Sequence, residues 1–529
     1  MPDYTSKVPK YNFSGNLQEQ QRELSDNPII LRMAQSRLSM MDDPYRPSYH
    51  YVNPEGILND PNGLCYWQNN WHLFYQGYPP EDPRQHWGHA VSKDLVHWQD
   101  LPYAIYPNPE EKCFSGSTFV EENRVIAMYH GTSAGNMIAI SNDPLLLNWS
   151  KLTDAPVIKL HSNKIPSEVR VFDPCIWKQG KYYYSLSGGT LPHLYSGKRT
   201  RANFLFRSSD LTKWDYMHPF VEGDHFTKIG DDGACPYFWP IGDRHILFFF
   251  SHMSGGQALL GDYNQKTQKF EVTSHHEFNF GSFGPGGVHA PSVTPDGDGG
   301  VIAIFNMNAA METPGWNQLM TLPRRISLQS DVPPGNDRLT IEPAVATQTL
   351  RKNKTSYSGL RIEANQEVIL KKINGNVLEI KTEIDTCDSP MIELKVLSSP
   401  SNDEYTRISF YPNRGFRHWD VYDGWEPEKF KNASDSIVMI DTSYSSKHKT
   451  ALSRPPESAP VLLDPDENLE LRIFLDKSVI EVFVNGKQCL ATRVYPSGKN
   501  STGVSIRAQG SDAKIITMDA WEMEDIYDM

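Results

Sequence analysis

Apolar residues fall at helical spacing only near the start of this chain. Between residues 15 and 42, Leu17, Leu24, Ile29, Ile30, Met33, Leu38 and Met41 are spread among Gln, Glu and Arg. That pattern predicts an N-terminal helical extension, residues 1–45, lying on the main body. From about residue 46 short runs rich in Tyr, Phe, Val and Ile alternate with Gly, Pro, Asn and Asp, as strands and turns do. The first two runs, Gly63 to Trp67 and Trp71 to Tyr75, flank Gln68-Asn69-Asn70 and predict a hairpin. Just ahead of them Asn59-Asp60-Pro61-Asn62-Gly63 predicts a tight turn. Pro61 fixes φ there, and Asn62 and Gly63 tolerate left-handed backbone.

Within the strand-rich region one pattern returns: a strand, then Ser, Asp, an apolar residue, and a Trp shortly after. It occurs as Ser92-Lys93-Asp94-Leu95 with Trp98, Ser141-Asn142-Asp143 with Trp149, and Ser209-Asp210-Leu211 with Trp214. Gly261-Asp262-Tyr263 with Phe270 is a weaker form. The Asp residues at 94, 143, 210 and 262 are 49, 67 and 52 apart, a period that suits propeller blades better than a sandwich. Each blade would be a four-stranded sheet with the Asp turn joining its outer strands and the Trp closing it. Four repeats and further strands to about 328 give five blades, so residues 46–330 are expected to form a five-bladed β-propeller. The polar, Pro-rich segment 329–345 reads as a linker. Cleaner alternation follows, with Leu471 to Leu475, Val479 to Val484, an Asn485-Gly486 turn and Cys489 to Val494 forming a hairpin. Residues 346–529 are therefore expected to form a C-terminal β-sandwich, and the fold class is all-β.

A chain of 529 residues exceeds what one core supports, which agrees with two domains. The net charge of −13, without a dense Lys/Arg run, makes nucleic acid and anionic membranes poor partners. No stretch approaches the roughly 18–20 apolar residues of a spanning helix. The first residues carry no apolar core of a secretory signal, so a cytoplasmic location is expected. Six scattered cysteines without metal-ligand spacing are expected to be reduced, buried thiols.

The candidate chemistry is acidic. A propeller gathers the first strand of every blade around its axis, and acids stand near several of these starts. Asp60 opens the first blade, Asp173 the third and Asp231-Asp232-Gly233-Ala234-Cys235-Pro236 the fourth, while Cys113-Phe114-Ser115-Gly116-Ser117 opens the second. Trp67, Trp71, Tyr75, Trp87 and Trp98 are expected to flank Asp60 with flat apolar surface. Acids among aromatic rings suit a sugar site, where carboxylates attack, protonate or steady charge. Other features have simpler readings. Asp296-Gly297-Asp298-Gly299-Gly300 is expected to be a hairpin turn rather than a calcium loop. The glycines of Gly284-Pro285-Gly286-Gly287 serve to turn the backbone. His252 and His289 are expected to be core or rim hydrogen-bonding groups, and His275-His276 an exposed turn pair.

The motifs together resemble glycoside hydrolase family 32, the invertase, levanase and inulinase group, from about residue 46 to the C-terminus. The resemblance rests on Asn59-Asp60-Pro61-Asn62-Gly63, Phe74-Tyr75-Gln76, Trp87-Gly88-His89-Ala90, Phe114-Ser115-Gly116-Ser117, Arg170 with Asp173-Pro174, and Leu471 to Asp476 with Glu481-Val482-Phe483. It implies a five-bladed propeller plus sandwich and a retaining hydrolase of sucrose or short fructans that needs no cofactor or metal. The partner would be a small-molecule carbohydrate; the pattern specifies no oligomeric state. Asp60 would be the nucleophile and Asp173 the stabiliser of the developing charge. Asn59, Gln76, Trp87, Phe114, Ser115 and Arg170 would shape the fructose pocket. Two departures stand out. Val171 and Phe172 separate Arg170 from Asp173, and Ala234 occupies the position of the family's acid/base Glu before Cys-Pro. An alanine there fits an acid removed by mutation, a proton donor displaced to Asp232 or Asp231, or a binding relative without turnover. Glu168 is a further candidate acid.

Overall fold

The computed structural model describes residues 3–162, 165–167, 169–192, 197–329, 338–416, 434–464 and 467–527. Five sheets, antiparallel except where the short Val221–Glu222 strand joins the fourth in parallel, follow in sequence order, and their innermost strands are Leu58–Trp67, Cys113–Glu121, Pro174–Gln179, Ala234–Ile241 and Val288–Pro295. Each of these strands packs on the next and the last returns to the first, which closes the propeller around its axis. The repeat has a physical cause. Asp94, Asp143 and Asp210 each accept backbone N–H groups two to five residues on, in the turn between the third and fourth strands. Leu95, Leu146 and Leu211 take left-handed φ of 73°, 51° and 67° in those turns. The indole N–H of Trp149 and of Trp214 then donates to the carbonyls of Leu146 and Leu211. Asp262 departs from the pattern: it lies within the strand Gly255–Asn264, and Asn264 caps that blade's turn instead.

Several expectations need correction. The helical stretch is two helices, Leu17–Ser25 and Pro28–Ser39, because Asn27 caps a new start and Pro28 cannot continue the old one. The supposed linker contributes Leu339–Pro343, the outer strand of the fifth blade, while 330–337 lie outside the described residues. His275 and His276 sit within the strand Lys269–Glu277, not in an exposed turn. Among the cysteines Cys387 is exposed, although the other five are buried and all six are free. The 296–300 loop is the expected hairpin turn: Asp296 accepts the backbone N–H groups of Asp298 and Gly300, and both aspartates pair with Arg325.

Two six-stranded sheets form the C-terminal sandwich around an aliphatic core that includes Ile380, Leu394, Ile473 and Val482. Asn485 and Gly486 turn its hairpin with φ of 50° and 61°. A second apolar cluster crosses between the domains, joining Phe305 and Leu322 to Phe474 and Phe483. At its centre Glu481 accepts from Arg324 (2.8 Å) and from the backbone of Leu322 (2.7 Å), and it lies 3.1 Å from His50 Nε2. Asp476 lies 2.9 Å from the other ring nitrogen of His50 and accepts three backbone N–H groups from residues 48–50. These four side chains are fully buried, so the domains are fixed by charges that neither could leave unpaired. The N-terminal helices dock through Ile29 and Met33 against Tyr103, and through Arg37 on Asp100.

Candidate active site

The innermost strands do more than close the ring. In four of the five blades the strand begins with one extra residue relative to its neighbour: between Leu58 and Pro61, Cys113 and Gly116, Ala234 and Tyr237, and Val288 and Pro291. A bulge leaves its residues unpaired and turns their side chains away from the ladder. Here the bulged positions carry Asn59 and Asp60, Phe114 and Ser115, Cys235, and His289, and all of these line one pocket. The expected tight turn at Asn59–Gly63 is thus a bulged strand, with a second irregularity at Gly63. Gly63 has φ +50°, and a Cβ there would meet Thr118 Cγ2 at 2.7 Å. The third blade has no such bulge; Asp173 immediately precedes its strand and accepts from the Cys235 backbone N–H at 3.1 Å.

The pocket encloses about 360 Å³. Asp60 Oδ2 accepts from Ser115 Oγ (2.6 Å) and Gln76 Nε2 (3.1 Å), and Gln76 also donates to Ser115 (2.7 Å). Asn59 in turn donates to Gln76 Oε1 at 3.2 Å. His289 Nδ1 is 3.1 Å from Asp60 Oδ1, an ion-pair distance without hydrogen-bond alignment. The Cys235 sulfur stands between the two aspartates, 3.7 Å from Asp60 Oδ2 and 3.6 Å from Asp173 Oδ2. Burial pushes the Asp60 carboxyl up, but His289 and Ser115 outweigh it, so Asp60 lies below the usual carboxylate range. Asp173 goes the other way: burial first, then the charge of Asp60, push it up to about 7. The two carboxyls therefore hold different charge near neutrality, one ionised and one sharing its time with a proton. Burial also lifts the Cys235 thiol well above its ordinary value, which keeps it neutral beside them.

Of the residues singled out from sequence, Asn59, Asp60, Gln76, Phe114, Ser115, Asp173 and Asp232 line this pocket. Trp87 does not. It is buried behind the wall, where its indole N–H holds the Phe114 carbonyl at 2.9 Å. Trp67, Tyr75 and Trp98 are likewise core residues, and Trp71 packs on the core at their edge. The phenyl rings that line the pocket are those of Phe114, Phe172 and Phe250. Arg170 is exposed and outside the lining; the two inserted residues put Phe172 there instead. Asp231 is turned away and buried, accepting from Ser254 Oγ and the Lys228 backbone. Glu168 lies outside the described residues. His252 and His289, given only bland roles from sequence, both line the pocket. One signal could have found His289. A proline directly follows a pocket residue at Asp60-Pro61, Asp173-Pro174 and Cys235-Pro236, and Ala290-Pro291 marks the same place in the fifth blade. A larger open groove of about 570 Å³ beside the second helix has its charges, Arg32 and Glu55, paired with each other.

The family model for the glycosyl hydrolases family 32 N-terminal domain matches residues 50–343, and that for the family's C-terminal domain matches residues 346–522. The chain belongs to glycosyl hydrolases family 32. It is 26% identical over 532 residues to a levanase of Bacillus subtilis, covering 92% of this chain and 72% of that protein. To a sucrose-6-phosphate hydrolase of Zymomonas mobilis it is 24% identical, covering 92% and 94%. The fold of this family 32 member matches fructan 1-exohydrolase IIa from Cichorium intybus with a TM-score of 0.76 at 22% identity, covering 91% of this chain and 98% of that one. The sucrose-6-phosphate hydrolase of Lactobacillus gasseri matches with 0.73 at 21%, covering 95% and 98%. Family membership makes the chain a glycosidase homologue.

Proposed function

We propose that the protein is a retaining β-fructofuranosidase-type glycosidase that releases fructose from sucrose or a short fructan through a fructosyl-enzyme on Asp60. One observation carries the reading: Asp60 and Asp173, from different blades, meet at a single sulfur within one pocket. Asp60, kept ionised by its neighbours, attacks the anomeric carbon. Asp173 accepts hydroxyl hydrogen bonds as positive charge develops on the sugar ring. Gln76, Ser115 and Asn59 hold the nucleophile and offer further polar contacts. Phe114, Phe172 and Phe250 supply faces for the ring's C–H surfaces. The volume falls within the roughly 300–1,000 Å³ of small-molecule sites. The levanase and sucrose-6-phosphate hydrolase names of the relatives support a fructoside as substrate.

A second reading, a fructoside-binding relative with impaired turnover, is favoured by Ala234, which lines the pocket with a methyl group that has no proton to give. Incubation with sucrose, inulin and levan, with free fructose as the readout, separates the two. Fructose release that is lost in Asp60→Asn supports the hydrolase. Tight binding without release, with turnover gained in Ala234→Glu, supports the binder.

A further inference from the structure

Cleavage of an unactivated fructoside needs a proton on the departing oxygen, and Ala234 leaves that task unassigned. Asp232 lines the pocket, yet both of its oxygens are engaged as acceptors. Oδ1 takes the His252 backbone N–H at 3.2 Å, and Oδ2 lies 2.6 Å from His252 Nδ1. Oxygens occupied in this way have no proton to offer, whereas the ring they hold does. We propose that the imidazole of His252, held by Asp232, donates the proton to the leaving oxygen in place of the missing carboxylic acid. This rests on the reading of Asp60 as nucleophile.

The arrangement is that of an acid with an orienting partner. Nδ1 is committed to Asp232, so the proton available to a bound substrate is the one on Nε2. The carboxyl groups around the ring favour its charged form. Asp232 comes from the loop before the fourth blade, Asp173 from the start of the third and Asp60 from the first. Phe250 packs edge-on at 4.9 Å, and His289 lies beyond it at 3.9 Å from the Phe250 ring. Asp231 faces Ser254 instead. The hydrogen bond to Asp232 is the largest influence on His252 and raises it above the ordinary histidine value. Burial opposes that rise, and the charges of Asp232, Asp173 and Asp60 add to it. The Asp232 carboxylate at 2.6 Å from Nδ1 therefore favours the imidazolium, the form a general acid must take.

In the first half-reaction Asp60 forms a bond to the anomeric carbon as the bond to the leaving oxygen breaks. His252 Nε2–H protonates that oxygen and becomes neutral. In the second, water adds to the anomeric carbon, the bond to Asp60 breaks and Nε2 takes the water's proton. The imidazolium and the carboxylate are both restored. Asp232 is a positioning residue throughout.

The test compares kcat/KM for sucrose with that for p-nitrophenyl β-D-fructofuranoside, whose phenolate leaves without help. It uses the full chain and the variants His252→Gln, Asp232→Asn and His252→Gln/Ala234→Glu. His252→Gln should lose about 10²- to 10⁴-fold on sucrose and less than about 10-fold in the first step on the activated substrate. The double variant should regain sucrose hydrolysis. Asp232→Asn should move the alkaline limb of the pH profile to lower pH, because the imidazolium loses its partner. Equal losses on both substrates, or no loss on sucrose, overturn the assignment. If the parent chain forms no fructosyl adduct with the activated substrate, the nucleophile reading fails and takes this one with it. An adduct that forms while His252→Gln stays as active on sucrose overturns the proton donor alone.

Discussion

Replacing Asp173 with asparagine should stabilise the protein at neutral and alkaline pH while removing its activity. The reason lies in the position of its proton. Burial and the charge of Asp60 push the Asp173 carboxyl from an ordinary 3.8 up to about 7. Below the lower value both folded and unfolded chains hold the proton, and there is no difference. Between the two values the folded chain keeps a proton that the unfolded chain has released, so stability falls as pH rises. Above about 7 the full penalty is in place. A rise of about 3 units at about 1.4 kcal/mol each corresponds to about 4 kcal/mol. Asparagine does not titrate, and its oxygen can still accept the Cys235 N–H that Asp173 accepts at 3.1 Å. Thermal unfolding followed by circular dichroism should show parent and variant together near pH 4. By about pH 8 the variant should melt roughly 5–10 °C higher, at about 2 °C per kcal/mol for a domain of this size. Asp60→Asn should flatten the parent's slope, since Asp60 supplies the second cause of the shift. A melting difference that stays constant across this pH range would refute the claim that the site holds Asp173's proton.

Other consequences concern the frame around the site. Glu481→Gln leaves buried Arg324 without its carboxylate and His50 with Asp476 alone, which should cost about 3–5 kcal/mol in denaturant unfolding; an unchanged midpoint would show that the domains are held by apolar packing alone. His50 is raised to about 9 because hydrogen bonds to Asp476 and Glu481 outweigh the opposing burial. Its contribution is complete below about 6.5 and lost as pH rises through about 9, so in the Asp173→Asn background the fall in stability between those values should become shallower when His50→Gln is added. Gly63→Ala combines left-handed φ with a 2.7 Å approach to Thr118 and should cost about 1–3 kcal/mol in the same assay.

Most of the architecture could be read from the chain because it repeats. An Asp cap, a left-handed leucine and a tryptophan N–H form a local unit, and local units leave local patterns. The fifth blade's outer strand was hidden because its partner, Arg324–Leu328, lies across an interval that includes 330–337, and its own five residues carry no turn signal. At the site the acids are legible from their places at the starts of the blades, but the aromatic wall is not. Strand alternation does not say whether an inward residue faces a core or a cavity: Trp87 is fully buried behind the wall, whereas half-buried Phe114 lines the pocket. His252 follows a strand with no motif of its own; only the fold brings it to Asp232. Likewise Asp476 and Glu481 read as part of a sandwich hairpin, and their role in fixing the propeller depends on His50, more than four hundred residues away.

The central claim is that Asp60 and Asp173 serve one furanose ring in one pocket. Brief incubation with p-nitrophenyl β-D-fructofuranoside, an acid quench and peptide mass mapping test it most directly. The account predicts a mass gain of one anhydrofructose on the peptide that carries Asp60, absent in Asp60→Asn and strongly reduced in Asp173→Asn. An adduct on another residue, or nitrophenol release that survives Asp60→Asn, would contradict it.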